Sequence, residues 1–433
     1  MPVVSLFFLS RPSYSFQTKT LEHSECTPIK AYQQQYERSA ETEKCPERRR
    51  NAKIDAFYLH LPFCFHKCHY CDFFSVVEPE GQDAPQQEAF VTALIAEMRH
   101  RSEQSPIRPS TLFAGGGTPT FLRQALWERL LDEMRELGIL DPESEQEFTV
   151  EANPETVTPE LMASLVAGGV TRVSIGAQTF DRTSLKALER WHDPESVPRT
   201  VQICRDVGLA NFSLDLIFAI PGQTLAMLDR DLDALLALEP RHLSTYGLTY
   251  EPNTPLTAKL RVGKIDAIDE ALEREMYELV MTKLESAGYE HYEVSNWTLS
   301  DPVIDFRCQH NLAYWHNKNW LGVGPSAASH IDGQRWRNAP NLKRYLDGSP
   351  TPPTQDHEQL DANGRFAEQL MLGLRLREGI DADWFDQHPA LRQDQRDSVN
   401  EFIGLELLQR TDGRLRLTRK GLFVADSVIA KLL

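Results

Sequence analysis

The stretch His60-Leu-Pro-Phe-Cys64-Phe-His-Lys-Cys68-His-Tyr-Cys71-Asp-Phe73 ends an apolar run, Phe57–Leu61, and sets three cysteines at C-x3-C-x2-C spacing. Three thiolates on one short loop can hold three irons of a [4Fe–4S] cluster. The fourth iron is then left without a nearby protein ligand, whereas clusters that only carry electrons normally have four cysteines. An open metal position is how catalytic sites bind and activate a ligand. Two other readings fit the triplet alone. One is zinc, with His66 or His69 as the fourth ligand. The other is three core cysteines that ligate nothing.

Working outward, a series of apolar runs each ends in polar or glycine residues. Ser110-Thr-Leu-Phe-Ala-Gly-Gly-Gly-Thr-Pro-Thr120 reads as a strand entering a glycine-rich turn, where backbone can approach a ligand closely. Phe148-Thr-Val-Glu-Ala-Asn-Pro154 is a strand ending near a carboxylate, and Arg172-Val-Ser-Ile-Gly-Ala-Gln-Thr-Phe180 is one ending in an amide. Asn211-Phe-Ser-Leu-Asp-Leu-Ile-Phe-Ala-Ile-Pro-Gly-Gln-Thr224 carries Asp215. Taken singly, a glycine triplet is an ordinary turn, and a strand-end amide or carboxylate is an ordinary cap or ion pair.

In this order the motifs resemble the radical S-adenosylmethionine (SAM) superfamily. The likeness is to the branch holding oxygen-independent coproporphyrinogen III oxidase and the HemW-type haem chaperones, and it runs from about Ala56 to the C-terminus. It outweighs zinc. It implies that Cys64, Cys68 and Cys71 hold a [4Fe–4S] cluster whose open iron chelates SAM. Tyr58 and Tyr70 match positions lining the SAM site. Gly116, Gly117 and Thr118 match backbone contacts to the methionine moiety, and Glu151 also faces it. Gln178 and Asp215 match ribose-binding positions, where an amide and a carboxylate suit paired hydroxyls. Arg190 matches an arginine that pairs with the SAM carboxylate. In the superfamily a reduced cluster cleaves SAM to a 5′-deoxyadenosyl radical, so the hard chemistry belongs to the cofactors.

Two features separate the members of the branch. The oxidase has a further cysteine two residues after the third; here that position is Phe73. The chain also carries Cys308-Gln-His-Asn-Leu-Ala-Tyr-Trp315, whose H-N-x-x-Y-W motif marks the chaperones and is associated there with haem. His310 offers an imidazole, Asn311 accompanies it, and Tyr314 and Trp315 offer flat faces to a porphyrin. Cys308 is a second candidate axial ligand. On residue chemistry alone the motif reads equally as a buried aromatic cluster around a hydrogen-bonded histidine. One departure points toward the oxidase: where the chaperones show G-x-G-P-G-A-H-S, this chain has Gly322-Val-Gly-Pro-Ser-Ala-Ala-Ser-His330, with Ala328 at the histidine position.

The resemblance therefore implies a haem chaperone that binds haem, a [4Fe–4S] cluster and SAM and passes haem to acceptor proteins. Its main rival is a coproporphyrinogen III oxidase, and a haem-degrading radical SAM enzyme stands third. A low-potential electron donor is implied, and peripheral membrane association stays open. The 433 residues carry 63 acidic against 46 basic side chains, a net charge of −17, which opposes a general nucleic-acid role. Seven cysteines, three of them clustered, suit a reducing, cytoplasmic setting rather than a disulfide framework.

The organisation expected is α/β. Residues 1–50 read as a disordered or mis-assigned extension. Residues 51–300 read as a partial (β/α)6 TIM-like barrel. Its strands are Phe57–Leu61, Leu112–Ala114, Phe148–Glu151, Arg172–Ile175, Phe212–Phe218 and Leu243–Leu248, alternating with amphipathic helices and closed by Glu270–Ala287. Active residues would gather at the C-terminal strand ends. Residues 301–348 hold the haem motif, 349–361 form a linker, and 362–433 form a helical, winged-helix-like domain suited to packing or partner docking.

Overall fold

Each of the six expected βα units is present in the computed structural model, which describes residues 52–78 and 85–433. The readings made for residues 1–50 lie outside the described residues. The first strand is β1 (Ala56–Leu61), followed by the two-residue pair β2 (Phe63–Cys64) and β3 (Val76–Val77) that brackets the cysteine loop. The barrel continues with β4 (Thr111–Gly116), β5 (Glu147–Ala152), β6 (Arg172–Gln178), β7 (Phe212–Phe218) and β8 (His242–Gly247). These lie parallel in the order β1-β4-β5-β6-β7-β8.

Local chemistry sets the intervening helices. Thr158 accepts from Leu161 N ahead of Pro159, and Asp181 and Thr224 cap Arg182–Ala187 and Leu225–Leu236 in the same way. On Gln124–Glu136 the residues Leu126, Leu130, Leu131 and Met134 are buried, the core stripe their helical spacing predicts.

The sheet does not stop at the barrel. On one side β8 pairs with β10 (Asn296–Leu299), which pairs with β9 (Tyr289–Glu293). On the other side β1 is flanked by a parallel β11 (Trp320–Val323). The antiparallel strands β12 (Ala328–Ile331), β13 (Gln334–Asn338) and β14 (Thr354–Gln359) complete a twelve-stranded sheet. This corrects two boundaries. The cut at residue 300 falls inside one continuous sheet, and the expected linker 349–361 carries β14. The cause is composition: β14 reads T-Q-D-H-E-Q, polar because it is an edge strand, so it lacks the apolar alternation of an inner strand.

The C-terminal part pairs helix Ala362–Gly373 with a small sheet of β15 (Ile380–Asp381), β16 (Leu408–Thr411) and β17 (Arg414–Leu417) and four further helices. Asp412 and Gly413, both with positive φ, make the two-residue turn between β16 and β17. Buried Glu368 ties this part to the sheet through Arg335 (2.5 Å) and Asn317 (2.8 Å). Among the described residues no helix is long and apolar enough to cross a membrane.

Candidate cofactor site

A period of two along the barrel strands places polar residues inside. Tyr58 and His60 of β1, Glu147, Thr149 and Glu151 of β5, Arg172 and Ser174 of β6, Ser213 and Asp215 of β7, and Ser244 and Tyr246 of β8 alternate with fully buried apolar residues.

The cysteine loop crosses the C-terminal end of β1. Cys64, Cys68 and Cys71 are all free thiols. Thr118 Oγ1 donates to Cys64 Sγ (3.4 Å), and the Arg190 guanidinium donates to Cys68 Sγ (3.6 Å). Burial, reinforced by Cys68, pushes the Cys71 thiol up to about 12. Three desolvated thiols with a hydroxyl and a guanidinium turned to them form a donor set that fits a [4Fe–4S] cluster bound as thiolates. Zinc fits less well. His66 Nε2 is engaged with Glu189 O (2.9 Å) and its ring stacks on Trp191 at 4.5 Å. Among the described residues no three His, Cys, Asp or Glu side chains converge where one ion could sit.

The glycine turn is stitched to this loop. Gly117 N bonds Leu61 O (2.8 Å) and Thr118 N bonds Phe63 O (2.7 Å). A Cβ on Gly117 would fall 2.6 Å from Pro62 C and 2.7 Å from Leu61 O and Phe63 O, so only glycine lets the two segments touch. Gly116, at φ +102, donates to Glu151 Oε2 (3.2 Å). These three N–H groups are thus engaged within the chain.

Glu151 and Asp215 line one small cavity, about 40 Å³, with Phe113, Arg172, Ser174, Ser244, Tyr246 and Asn311. Burial, then the neighbouring Asp215, raises the Glu151 carboxyl to about 7, while Gly116 N pulls it down. Asp215 accepts from Ser174 Oγ at 3.1 and 3.2 Å. Gln178 and Arg190 meet outside this cavity: a Cβ at Gly176 would lie 2.7 Å from Gln178 Nε2 and 3.0 Å from Arg190 Nη2. Gln178 takes φ +63 at a register irregularity in β6, a strained conformation of the kind found at functional sites. Arg190 also donates to Gly176 O (3.1 Å). Tyr70 packs beside Leu188, Ile217, Ile220, Leu248 and Leu256; burial, then Cys68, raises its phenol. Tyr58 is buried against Phe113, its hydroxyl 3.3 Å from His60 Nδ1.

The H-N-x-x-Y-W motif forms the helix Gln309–Trp315 at the opposite end of the barrel, against the N-terminal ends of the strands. His310 is 1% exposed. Its Nδ1 lies 3.0 Å from Thr111 Oγ1 and its Nε2 2.9 Å from Tyr314 Oη, so both nitrogens are occupied. Glu147, at the start of β5, accepts from Gln309 N and His310 N, each at 3.0 Å. Tyr314 and Trp315 are buried, with the Tyr314 ring edge-on to Trp320 at 4.9 Å. His330 lies in β12 beside Trp320 and Glu368, far along the sheet from the cysteine loop.

Sequence reading missed Arg172, Ser174, Ser244 and Tyr246 as lining residues. The signal was there: polar side chains at alternate positions of strands whose other residues are apolar.

Comparison with known proteins follows these features. Residues 58–235 match the radical SAM superfamily, and residues 360–424 match the HemN C-terminal domain. Heme chaperone HemW of Lactococcus lactis subsp. lactis is 34% identical over 383 residues, spanning 88% of this chain and 98% of that one. Heme chaperone HemW of Escherichia coli is 31% identical, spanning 86% and 97%. The chain belongs to the HemW family of radical SAM proteins. The solved structure of coproporphyrinogen III oxidase (HemN) from Escherichia coli shares the fold, with a TM-score of 0.73, 21% identity, and coverage of 88% of this chain and 91% of that one.

Proposed function

We propose that this protein is a haem chaperone: it binds a [4Fe–4S] cluster through Cys64, Cys68 and Cys71, binds SAM beside it, holds haem, and hands haem to acceptor proteins in the cytoplasm. The observation that carries the choice between chaperone and oxidase is the barrel interior. The cavity bounded by Glu151, Asp215 and Arg172 is about 40 Å³, an order of magnitude below what encloses a drug-sized ligand, let alone a tetrapyrrole. A chaperone need not place its porphyrin there. Phe73 in place of a fourth cysteine and the relatives' chaperone names support the same choice.

The cluster supplies an open iron and an electron; the protein's own residues do the rest. Thr118 and Arg190 orient the thiolates, Gly117 keeps the loop tight on the barrel mouth, and Gln178 and Arg190 present donors to the ribose and carboxylate of SAM. Glu151 and Asp215, two carboxyls in one cavity, share charge unevenly, and Glu151 is the one that carries a proton near neutrality. Haem is ligated by His310 after Gln309–Trp315 leaves its dock, since both imidazole nitrogens are otherwise taken.

The test is anaerobic reconstitution followed by haem titration at the Soret band, with coproporphyrinogen III, SAM and reductant assayed in parallel. One haem per chain without carbon dioxide release supports the chaperone; decarboxylation without stable haem refutes it. His310→Gln, which can still bond Thr111 and Tyr314, separates a ligand role from a structural one: haem is lost while the fold persists.

A further inference from the structure

His310 and Asn311 are adjacent yet serve different parts of the interior. His310 is held at the base of the barrel by Thr111, Tyr314 and the Glu147 cap. Asn311 lines the cavity that also contains Glu151 and Asp215. Its side chain is 8% exposed and its Oδ1 has no hydrogen-bond partner. A buried carbonyl oxygen left unpaired costs about 1–3 kcal/mol, so the cavity calls for a donor at that point. Arg172 Nε, in the same lining, is likewise buried and unpartnered, which marks the cavity as built for a polar occupant. SAM carries suitable donors in its adenine amino group and ribose hydroxyls. Both residues ride on one seven-residue helix, Gln309–Trp315, so His310 cannot leave its dock while Asn311 stays in place.

We propose that Asn311 is a ligand residue of the SAM cavity rather than of haem, and that helix Gln309–Trp315 couples the two sites. A SAM molecule contacting Asn311 holds the helix docked and opposes ligation of haem by His310. Haem ligation in turn withdraws Asn311 and weakens SAM. The coupling half rests on the haem reading above; the assignment of Asn311 to the SAM cavity does not. Thermodynamic linkage makes the two effects equal in size. The chain would then release haem when SAM binds and load it when SAM is absent.

The experiment uses the full chain with its cluster reconstituted. Haem is titrated at the Soret band with and without saturating SAM, and SAM affinity is measured by equilibrium dialysis with and without haem. SAM is expected to weaken haem at least fivefold, the lower end of typical coupling, with the reciprocal factor in the dialysis. In Asn311→Ala, SAM should bind at least fivefold more weakly and the coupling factor should fall below two; Asn311→Ser, which keeps a small polar group, should lie between. Iron content reports whether each variant has folded. Haem binding indifferent to SAM overturns the coupling and leaves the haem reading standing. Unchanged SAM affinity in both variants overturns the assignment of Asn311. A chain that takes up no haem refutes the haem reading and the coupling together, and the dialysis still decides Asn311.

Discussion

Replacing Gly117 by alanine isolates the contact that joins the glycine turn to the cysteine loop. The new Cβ would sit 2.6–2.7 Å from three backbone atoms of Leu61, Pro62 and Phe63. Ordinary contact begins near 3.4 Å, so one backbone must retreat by roughly 0.7 Å, and overpacking of this size costs about 1–3 kcal/mol. With an unfolding entropy near 2.1 cal/mol/K per residue, a cost of 2 kcal/mol lowers the midpoint by only about 2–3 °C. The larger effect falls on geometry. Gly117 N and Thr118 N hold Leu61 O and Phe63 O, so the retreat moves Cys64 and the hydroxyl that bonds it. The assay is iron and sulfide per chain after reconstitution, read beside thermal unfolding. Gly117→Ala should lose most of its cluster with a small change in midpoint. Gly208→Ala is the control: its φ is +80 with nothing within 4 Å, so it should show a backbone cost of about 1 kcal/mol and full cluster content. Full cluster content in Gly117→Ala would refute the reasoning.

Glu151→Gln tests the shared carboxyls. The folded pKa of about 7 lies above the ordinary value of 4.5, so the native state binds the extra proton, and wild-type stability falls as pH rises from about 4.5 to 7. The variant lacks that slope and should gain up to about 2–3 kcal/mol on wild type by pH 8 in denaturant unfolding, with no gain at pH 4; a pH-independent difference would contradict the assignment. Arg190→Lys keeps the charge but cannot reach Cys68, Gly176 and His192 at once, so SAM affinity should drop about tenfold with cluster content retained. Unaltered SAM binding would remove Arg190 from the site. Thr111→Val strips the hydroxyl from His310 Nδ1 and should destabilise by about 1–3 kcal/mol in urea unfolding; no change would show that this bond is not holding the helix.

The six barrel strands and their helices were legible because each is apolar, periodic and capped by residues such as Thr158, Asp181 and Thr224. The cluster loop was legible because three cysteines at that spacing have few uses. Strands β9 to β14 were not, since edge strands such as Thr354–Gln359 are polar and antiparallel additions carry no βα rhythm. The setting of His310 was also hidden. Its partner Thr111 lies 199 residues away, and no local pattern says whether an imidazole faces solvent, iron or a threonine. Arg172 and Tyr246 were visible only as an alternation, which becomes informative once the strands are known to enclose an interior.

The position of β1 bears on how the chain is made. It is the first strand synthesised, yet it lies between β4 and β11, and β11 begins at Trp320, roughly 250 residues after Cys71. At about 5–20 residues per second the ribosome needs on the order of 12–50 s to cover that distance. Throughout that interval one edge of β1 is unpaired, the helix that closes the base of the barrel has not been made, and the three thiols hang on a half-built scaffold. The nascent chain therefore offers its cysteines to iron–sulfur delivery, or to oxygen, well before the mature protein shelters them.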